Sequence, residues 1–422
     1  MTIKIRKSNI RYLVLLLILC MEHQMLYLVP ASWTVFGLDY QGICFLAEVI
    51  IFVGSLAETS FRLRKSRYNW IFYIGLLLVI TSAIAGVITY GQSFFTGLIV
   101  QRARIGSLIF FFALLQWYAN EKITADGIWK TLIIFAILYA SLCSIQYILA
   151  NVVTFTYSTS SEKMRYGSVR YWFNGTYLVF LAGYGLDRFW KKGKNKGIYA
   201  FLMIFPFVLL YVITKTRMAA LALTCSFLVC VIIKDGLSTK KLFSIAIVVA
   251  AFLFLSSTSV GTDLMNTLLN GSTGAEDTLS VRTIGRAYYI AETTRTPIRF
   301  LLGCGYASAN NSTALAMTYP QIYSAIYGYN VSLYPQDNGI IGSFYYYGFI
   351  GILWWFCVVL CVTLKGWKIY KKTGRTVFLG FVMYELISCI TLTPTEFGRY
   401  ITTAIIVLLL LATEDLSMTR SE

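Results

Sequence analysis

Residues 278–305 read TLSVRTIGRAYYIAETTRTPIRFLLGCG and lie in the only long polar stretch, Ser257 to Gln336, between hydrophobic runs. Ser280 to Thr296 has the pattern of a helix: Ala287, Tyr288, Ile290 and Ala291 supply an apolar face and Pro297 closes it. Arg282 and Arg286 are four residues apart, so they share one face with about 6 Å between their β-carbons. Like charges so placed repel in water, and a shared anion removes that cost. A solvated surface pair is the alternative.

Around this stretch nearly everything is apolar. The chain has 422 residues, of which 57% are hydrophobic and 13% charged, with a mean hydropathy of +0.67. That composition belongs to polytopic membrane proteins. A spanning helix takes about 20 mostly apolar residues. Apolar runs at 11–30, 34–57, 70–91, 98–119, 128–150, 171–190, 197–213, 216–233, 242–258, 338–364, 376–393 and 398–413 predict twelve spans. The basic start of the first run resembles a signal peptide, but no small-x-small cleavage site precedes the second run, so it counts as a span. The expectation is an all-α polytopic membrane protein in three parts: helices 1–9 in residues 1–256, an external helical loop domain in 257–336, and helices 10–12 with a cytoplasmic tail in 337–422.

The formal charge of +17 comes in short clusters between apolar runs, which marks topology rather than nucleic-acid binding. With the N-terminus inside, 24 of the 36 lysines and arginines fall on cytoplasmic segments, so both termini are expected there and the loop outside. The other twelve are the anomaly: Arg102, Arg104, Lys163, Arg165, Arg170, Lys215, Arg217, Arg282, Arg286, Arg295, Arg299 and Arg399. One such residue is most simply a snorkelling or salt-bridged side chain. As a group on the face that should be poor in positive charge, they predict an anion-binding cavity.

Lys215 and Arg217 flank the tight turn between two spans, where a pyrophosphate would fit: arginine offers two parallel hydrogen bonds and lysine a point charge. Arg165 to Asn174 (RYGSVRYWFN) enters the sixth span with aromatic residues between the charges, a pattern for a headgroup and a sugar ring; an interfacial aromatic belt explains the rings but not Asn174. Tyr306, Tyr319, Tyr323, Tyr327, Tyr329 and Tyr334 suit sugar faces or the core of the loop domain equally. A base for a sugar hydroxyl would come from Glu162, Asp263, Glu276, Asp277, Glu292, Asp337 or Glu396. Asp337 stands out at the loop-to-membrane junction, where a helix N-cap is the alternative reading. Glu396, beside Arg399 at the mouth of the last two spans, is second. Glu48 and Glu385 lie within spans and are costly there unless neutral or paired, as ion-coupling residues of a transporter would be. Nine cysteines without CxxC or Cys/His spacing predict neither disulfides nor zinc. No carboxylate pair for Mg²⁺, no P-loop and no nucleophile elbow is present, so the expected chemistry needs no metal or cofactor.

Four segments, in order, resemble the bacterial O-antigen ligase and Wzy-type polysaccharide polymerase superfamily. They are Arg165-Tyr166-Gly167 with Asn174, Thr216-Arg217 with Met218-Ala219-Ala220-Leu221, Ser280-Val281-Arg282 followed by Pro297 and Leu302-Gly303-Cys304-Gly305, and Asp337-Asn338-Gly339 with Tyr347-Gly348-Phe349-Ile350-Gly351. The resemblance covers about residues 160–355. It implies a GT-C-like, inverting, metal-independent glycosyltransferase of the bacterial cytoplasmic membrane, acting on glycan carried by undecaprenyl pyrophosphate among the membrane lipids. Arg217 and Arg282 would hold the departing pyrophosphate, with Lys215, Arg286, Arg165, Arg170, Arg102 and Arg104 in support. Asn174, Asn338, Tyr306, Tyr334 and Glu396 would meet sugar, and a chain-length regulator protein is a candidate partner. Ligases of this family carry a histidine where this chain has Asp337, and no external histidine exists here, which favours the polymerase with Asp337 as base.

Overall fold

The computed structural model describes residues 7–28, 39–149, 155, 175–190, 195–214, 217–234, 241, 246, 276–324, 329–391 and 399–419. Its helices are α1 (Lys7–Glu22), α2 (Tyr40–Ala57), α3 (Asn69–Tyr90), α4 (Phe94–Ile99), α5 (Arg102–Ala119), α6 (Ala125–Ile148), α7 (Gly175–Trp190), α8 (Lys196–Val208) and α9 (Arg217–Ile233). After these come α10 (Glu276–Thr294), α11 (Pro297–Leu302) and α12 (Ser312–Thr318), then a hairpin of β1 (Gln321–Ser324) and β2 (Tyr329–Ser332). A 3₁₀ turn at Pro335–Asn338 leads into α13 (Ile340–Thr373), α14 (Val377–Ser388) and α15 (Arg399–Thr419).

Four of these helices, α2, α3, α6 and α13, are long and apolar enough to cross a membrane. Their outward faces confirm the class. Ile50 and Val53 on α2, Leu77 and Ile88 on α3, Ile134 and Ile145 on α6, and Leu353 and Leu360 on α13 are large apolar side chains left exposed. Large apolar side chains exposed along helices of span length call for lipid.

Helices occupy eleven of the twelve apolar runs; the ninth, 242–258, lies outside the described residues apart from position 246. Three boundaries differ from expectation for local reasons. The run at 98–119 is broken at Gln101, whose buried amide donates to Val79 O of α3 (3.3 Å) and to Gly97 O (3.0 Å), the carbonyl that Gln101 N would bond in a continuous helix. Helix α13 runs past 364 to Thr373, because the lysines that end its apolar stretch do not end its backbone; Gly374, in the left-handed region, does. The loop, expected as a helical domain, also contains the β1–β2 hairpin, in register from Gln321 opposite Ser332 to Ser324 opposite Tyr329.

The loops segregate to two ends of the bundle. At one end Arg11 pairs with Glu58, Arg64 donates to Asn120 Oδ1, and Lys234 pairs with Asp187 at 2.8 Å. At the other, Gln92 Nε2 donates to Tyr306 O (2.7 Å) and Arg286 Nη2 to Ile390 O (2.9 Å). The second, loop-bearing end is built on glycine. Gly303 and Gly348, both with positive φ, meet backbone to backbone: a β-carbon on Gly303 would lie 2.6 Å from Gly348 N, and one on Gly348 2.3 Å from Leu301 O. Gly348 also kinks α13. Gly305 (φ +81°) presses on Ser82 O and Gly86 N of α3, and Cys304 N donates to Tyr345 O (2.6 Å). The segment after α11 is thus threaded between α3 and α13, where only glycine permits the approach.

Candidate functional site

Helix α10 lies on the loop-bearing end and presents Arg282, Gly285, Arg286 and Tyr289 at i, i+3, i+4 and i+7, one face. Its far half is anchored by two phenols: Tyr288 Oη donates to Met317 O and Tyr289 Oη to Thr318 O, both at 2.9 Å. Burial pushes the Tyr288 phenol up to about 12. Burial first, then the neighbouring phenols of Tyr288, Tyr319 and Tyr90, and Asp337 after them, push that of Tyr289 up further. Both therefore stay neutral donors, and Asp337 is close enough for its charge to be felt one turn from Arg286.

Against that face packs the turn Pro335–Gly339. Gly285 allows the contact, since a β-carbon there would stand 3.0 Å from Asn338 Nδ2. Asn338 is buried, donates from Nδ2 to Tyr334 O (2.7 Å), and leaves its Oδ1 without a partner among the described residues. Gly339 (φ +62°) rests on the backbone of Cys389 and Ile390, and Ile340 N donates to Cys389 O (2.8 Å). The N-cap of α13 is Gly339, with no side-chain bond, so Asp337 does not cap that helix.

Arg286 reaches the same place. Its Nη2 bonds Ile390 O at the C-terminal end of α14, a favourable position for a cation, while its buried Nε has no acceptor among the described residues. Arg282, half-buried one turn earlier, has neither a carboxylate nor a hydrogen-bond partner among the described residues. The next two arginines of the loop differ: Glu292 accepts from Arg299 Nη1 at 3.0 Å and faces Arg295 Nη1 at 3.7 Å.

Helix α9 starts level with this site. Ser226 Oγ donates to Gly380 O (2.6 Å) and Cys230 contacts Thr376 O (3.5 Å), an antiparallel register. Continued about two turns, it brings Met218 level with Ser388, beside the carbonyls that hold Arg286 and Ile340. The backbone of Arg217 therefore begins its helix at the loop-bearing end.

The remaining expected site residues are distributed unevenly. Arg102 is paired with Asp39 and also donates to Ile99 O (2.8 Å), and Arg104 is buried with its guanidinium 3.7 Å from the Tyr306 ring centroid. Both cations thus have protein partners where the sequence suggested a pyrophosphate. Tyr306 is corrected likewise: its ring stacks on Tyr346 at 3.8 Å and lies under Arg104, so both faces are covered and neither is open to a sugar. Tyr334 is exposed at the edge of the turn, tilted against Tyr319. The side chain of Arg217, and all of Lys215, Arg165, Arg170, Asn174 and Glu396, lie outside the described residues.

Chemically, the assembled face offers donors that no carboxylate neutralises by an ion pair among the described residues, beside one unpaired acceptor, Asn338 Oδ1. Two guanidinium groups sit on one side of a helix, with Asp337 and Asn338 in the turn beside them. No protein-family model matches the chain and a search of curated proteins gives no match, so this geometry carries the functional reading. Sequence reasoning missed Asp39, which lies inside the expected 34–57 run and caps α2 where the helix begins at Tyr40. Its Oδ1 takes Gly42 N at 2.9 Å.

Proposed function

We propose that the protein is a polysaccharide polymerase, an inverting, metal-independent glycosyltransferase that joins oligosaccharide repeat units carried on undecaprenyl pyrophosphate. In this reading the chain crosses the bacterial cytoplasmic membrane twelve times with both termini inside, and the loop-bearing end faces outward. The observation that carries it is the Arg282–Arg286 face, two cations without a carboxylate among the described residues, held against the Asp337–Asn338 turn. Arg282, Arg286 and Arg217 take the diphosphate of the donor and stabilise the charge it gains as the glycosidic bond breaks. Asp337 takes the proton of the attacking hydroxyl, and the new bond forms on the opposite face of the anomeric carbon.

The single histidine supports polymerase over ligase. His23 is boxed edge-on by the rings of Phe135, Tyr139 and Tyr177 at 5.1–5.6 Å, inside the bundle rather than in the Asp337 turn. One observation favours a second reading, an exporter of lipid-linked sugar: Glu48 on α2 is fully buried with both carboxylate oxygens unbonded among the described residues, as in ion-coupled transporters. Purified protein reconstituted in liposomes, with lipid-linked repeats supplied on the face that bears the loop, separates the two. The polymerase lengthens them there; product that never exceeds one repeat defeats the proposal.

A further inference from the structure

Helix α2 presents Leu46, Ile50 and Val53 outward at i, i+4 and i+7, and its last residue, Ala57, is exposed on the same stripe. The helix therefore carries its lipid-facing side to its very end. Residues 58–68 (ETSFRLRKSRY) then turn the chain into α3, at the end of the bundle away from the loop.

The backbone of this turn is fixed. Ser60 (φ +49°) and Phe61 (φ +59°) are both left-handed, a conformation that side chains other than glycine adopt at a cost. Phe61 N donates to Leu56 O (2.8 Å), Arg62 O accepts from Thr59 Oγ1 (3.1 Å) and Gln116 Nε2 (3.0 Å), and Arg64 O accepts from Asn69 Nδ2 (3.2 Å). These bonds hold main chain and leave the side chains of residues 61–65 pointing away. Phe61 is 70% exposed, with Leu63 exposed two residues on. A ring in water gains nothing from the strain beneath it, whereas a ring in the boundary between headgroups and acyl chains is covered.

Interleaved with those apolar tips are Arg62, Arg64 and Lys65, all exposed. Glu58, the only carboxylate of the turn, is already bound by Arg11 Nη2 at 2.8 and 2.9 Å. Among the described residues Arg62 and Lys65 have no side-chain partner, and Arg64 bonds the neutral Asn120 Oδ1 (3.0 Å). Three cations thus keep their charge beside an apolar tip, and their complement is a phosphate attached to hydrocarbon. Orientation in the membrane asks for positive charge here, but not for a fixed backbone or an exposed ring.

We propose that the 58–68 turn binds the headgroup of an anionic phospholipid, with Phe61 and Leu63 in the headgroup–acyl boundary and Arg62, Arg64 and Lys65 on the phosphate. The site is at the opposite end from Arg282 and Arg286 and stands if the glycosyl-transfer reading fails. The test places the full-length protein in phosphatidylcholine nanodiscs with a subsaturating fraction of photoreactive phosphatidylglycerol, or of the matching phosphatidylcholine probe. Cross-links within residues 58–68 are measured by mass spectrometry of peptides. Wild type cross-links the anionic probe at least about 25-fold more than the neutral one, about fivefold for each of two cations. Arg62→Gln with Lys65→Gln lowers the anionic yield by about that factor and, since neither side chain has a partner, keeps the fold. Phe61→Ser lowers the yield of both probes. Excess inorganic phosphate at constant ionic strength leaves the cross-link in place, which separates a lipid headgroup from a free anion. Equal yields of the two probes in wild type, an unchanged anionic yield in either variant, or loss of the cross-link to inorganic phosphate overturns the proposal.

Discussion

Two pairs of arginines lie within eighteen residues of each other in the loop, and the structure treats them oppositely. Arg295 and Arg299 share Glu292, which closes the corner between α10 and α11 across Pro297. Arg282 and Arg286, on α10 ahead of Glu292, have no carboxylate partner among the described residues and face the Asp337–Asn338 turn. On the orientation proposed above, both pairs break the rule that external segments carry few positive charges. Only one has a structural explanation for doing so. The lesson is that an anomalous charge marks function only after its protein partners have been subtracted, and the same subtraction removes Arg102, paired with Asp39, and Arg104, stacked on Tyr306.

The largest effect should separate the two pairs in activity. Arg282→Ala with Arg286→Ala is expected to lower the rate of polymer formation by at least about 100-fold, the scale of lost transition-state charge stabilisation. Arg295→Ala with Arg299→Ala, assayed at a temperature where it remains folded, should keep the rate of wild type. Gel profiles of polymer from reconstituted protein check both.

Next comes stability, where the order reverses. Glu292→Ala leaves Arg299, whose side chain is 14% exposed, without its counter-charge and is expected to cost roughly 2 kcal/mol. Loss of the Arg286 bond to Ile390 O should cost about 1 kcal/mol, and loss of Arg282 less. Thermal unfolding in detergent ranks the three. A double arginine variant as unstable as Glu292→Ala would mean that the first pair is structural too.

The smallest effect is acid sensitivity at the paired cation Arg102. Burial opposes ionisation of Asp39, but bonds from the Arg102 side chain and the Gly42 amide outweigh it and hold the carboxyl below its ordinary value of 3.8. A carboxyl lowered on folding contributes stability above its unfolded value and loses it as the pH falls through the folded one. Stability should therefore drop below about pH 4 by a fraction of a kcal/mol more in wild type than in Asp39→Asn, since the pair is partly exposed. Unfolding midpoints between pH 3 and 6 measure it.

Much of the architecture was legible. Apolar runs of span length gave helices in every run that the structure describes. The Ser280–Thr296 periodicity placed Arg282 and Arg286 on one face correctly. What stayed hidden was contact between distant segments. Gly303 and Gly348 touch through their backbones, which leaves nothing in the sequence but two glycines. Glu292 and Arg299 are seven apart across a proline break, so no helical spacing announces the bond. The Tyr306 ring could have packed or bound, and only its two covered faces decide that.

The most direct measurement is the affinity of the nanodisc-embedded protein for undecaprenyl pyrophosphate, compared among wild type, Arg282→Ala/Arg286→Ala and Arg295→Ala/Arg299→Ala. Each charged hydrogen bond lost should weaken binding about tenfold or more, so the first variant should bind at least about 100-fold more weakly than wild type. The second should match wild type. Equal weakening of both variants, or wild type that does not bind the diphosphate, would contradict the account.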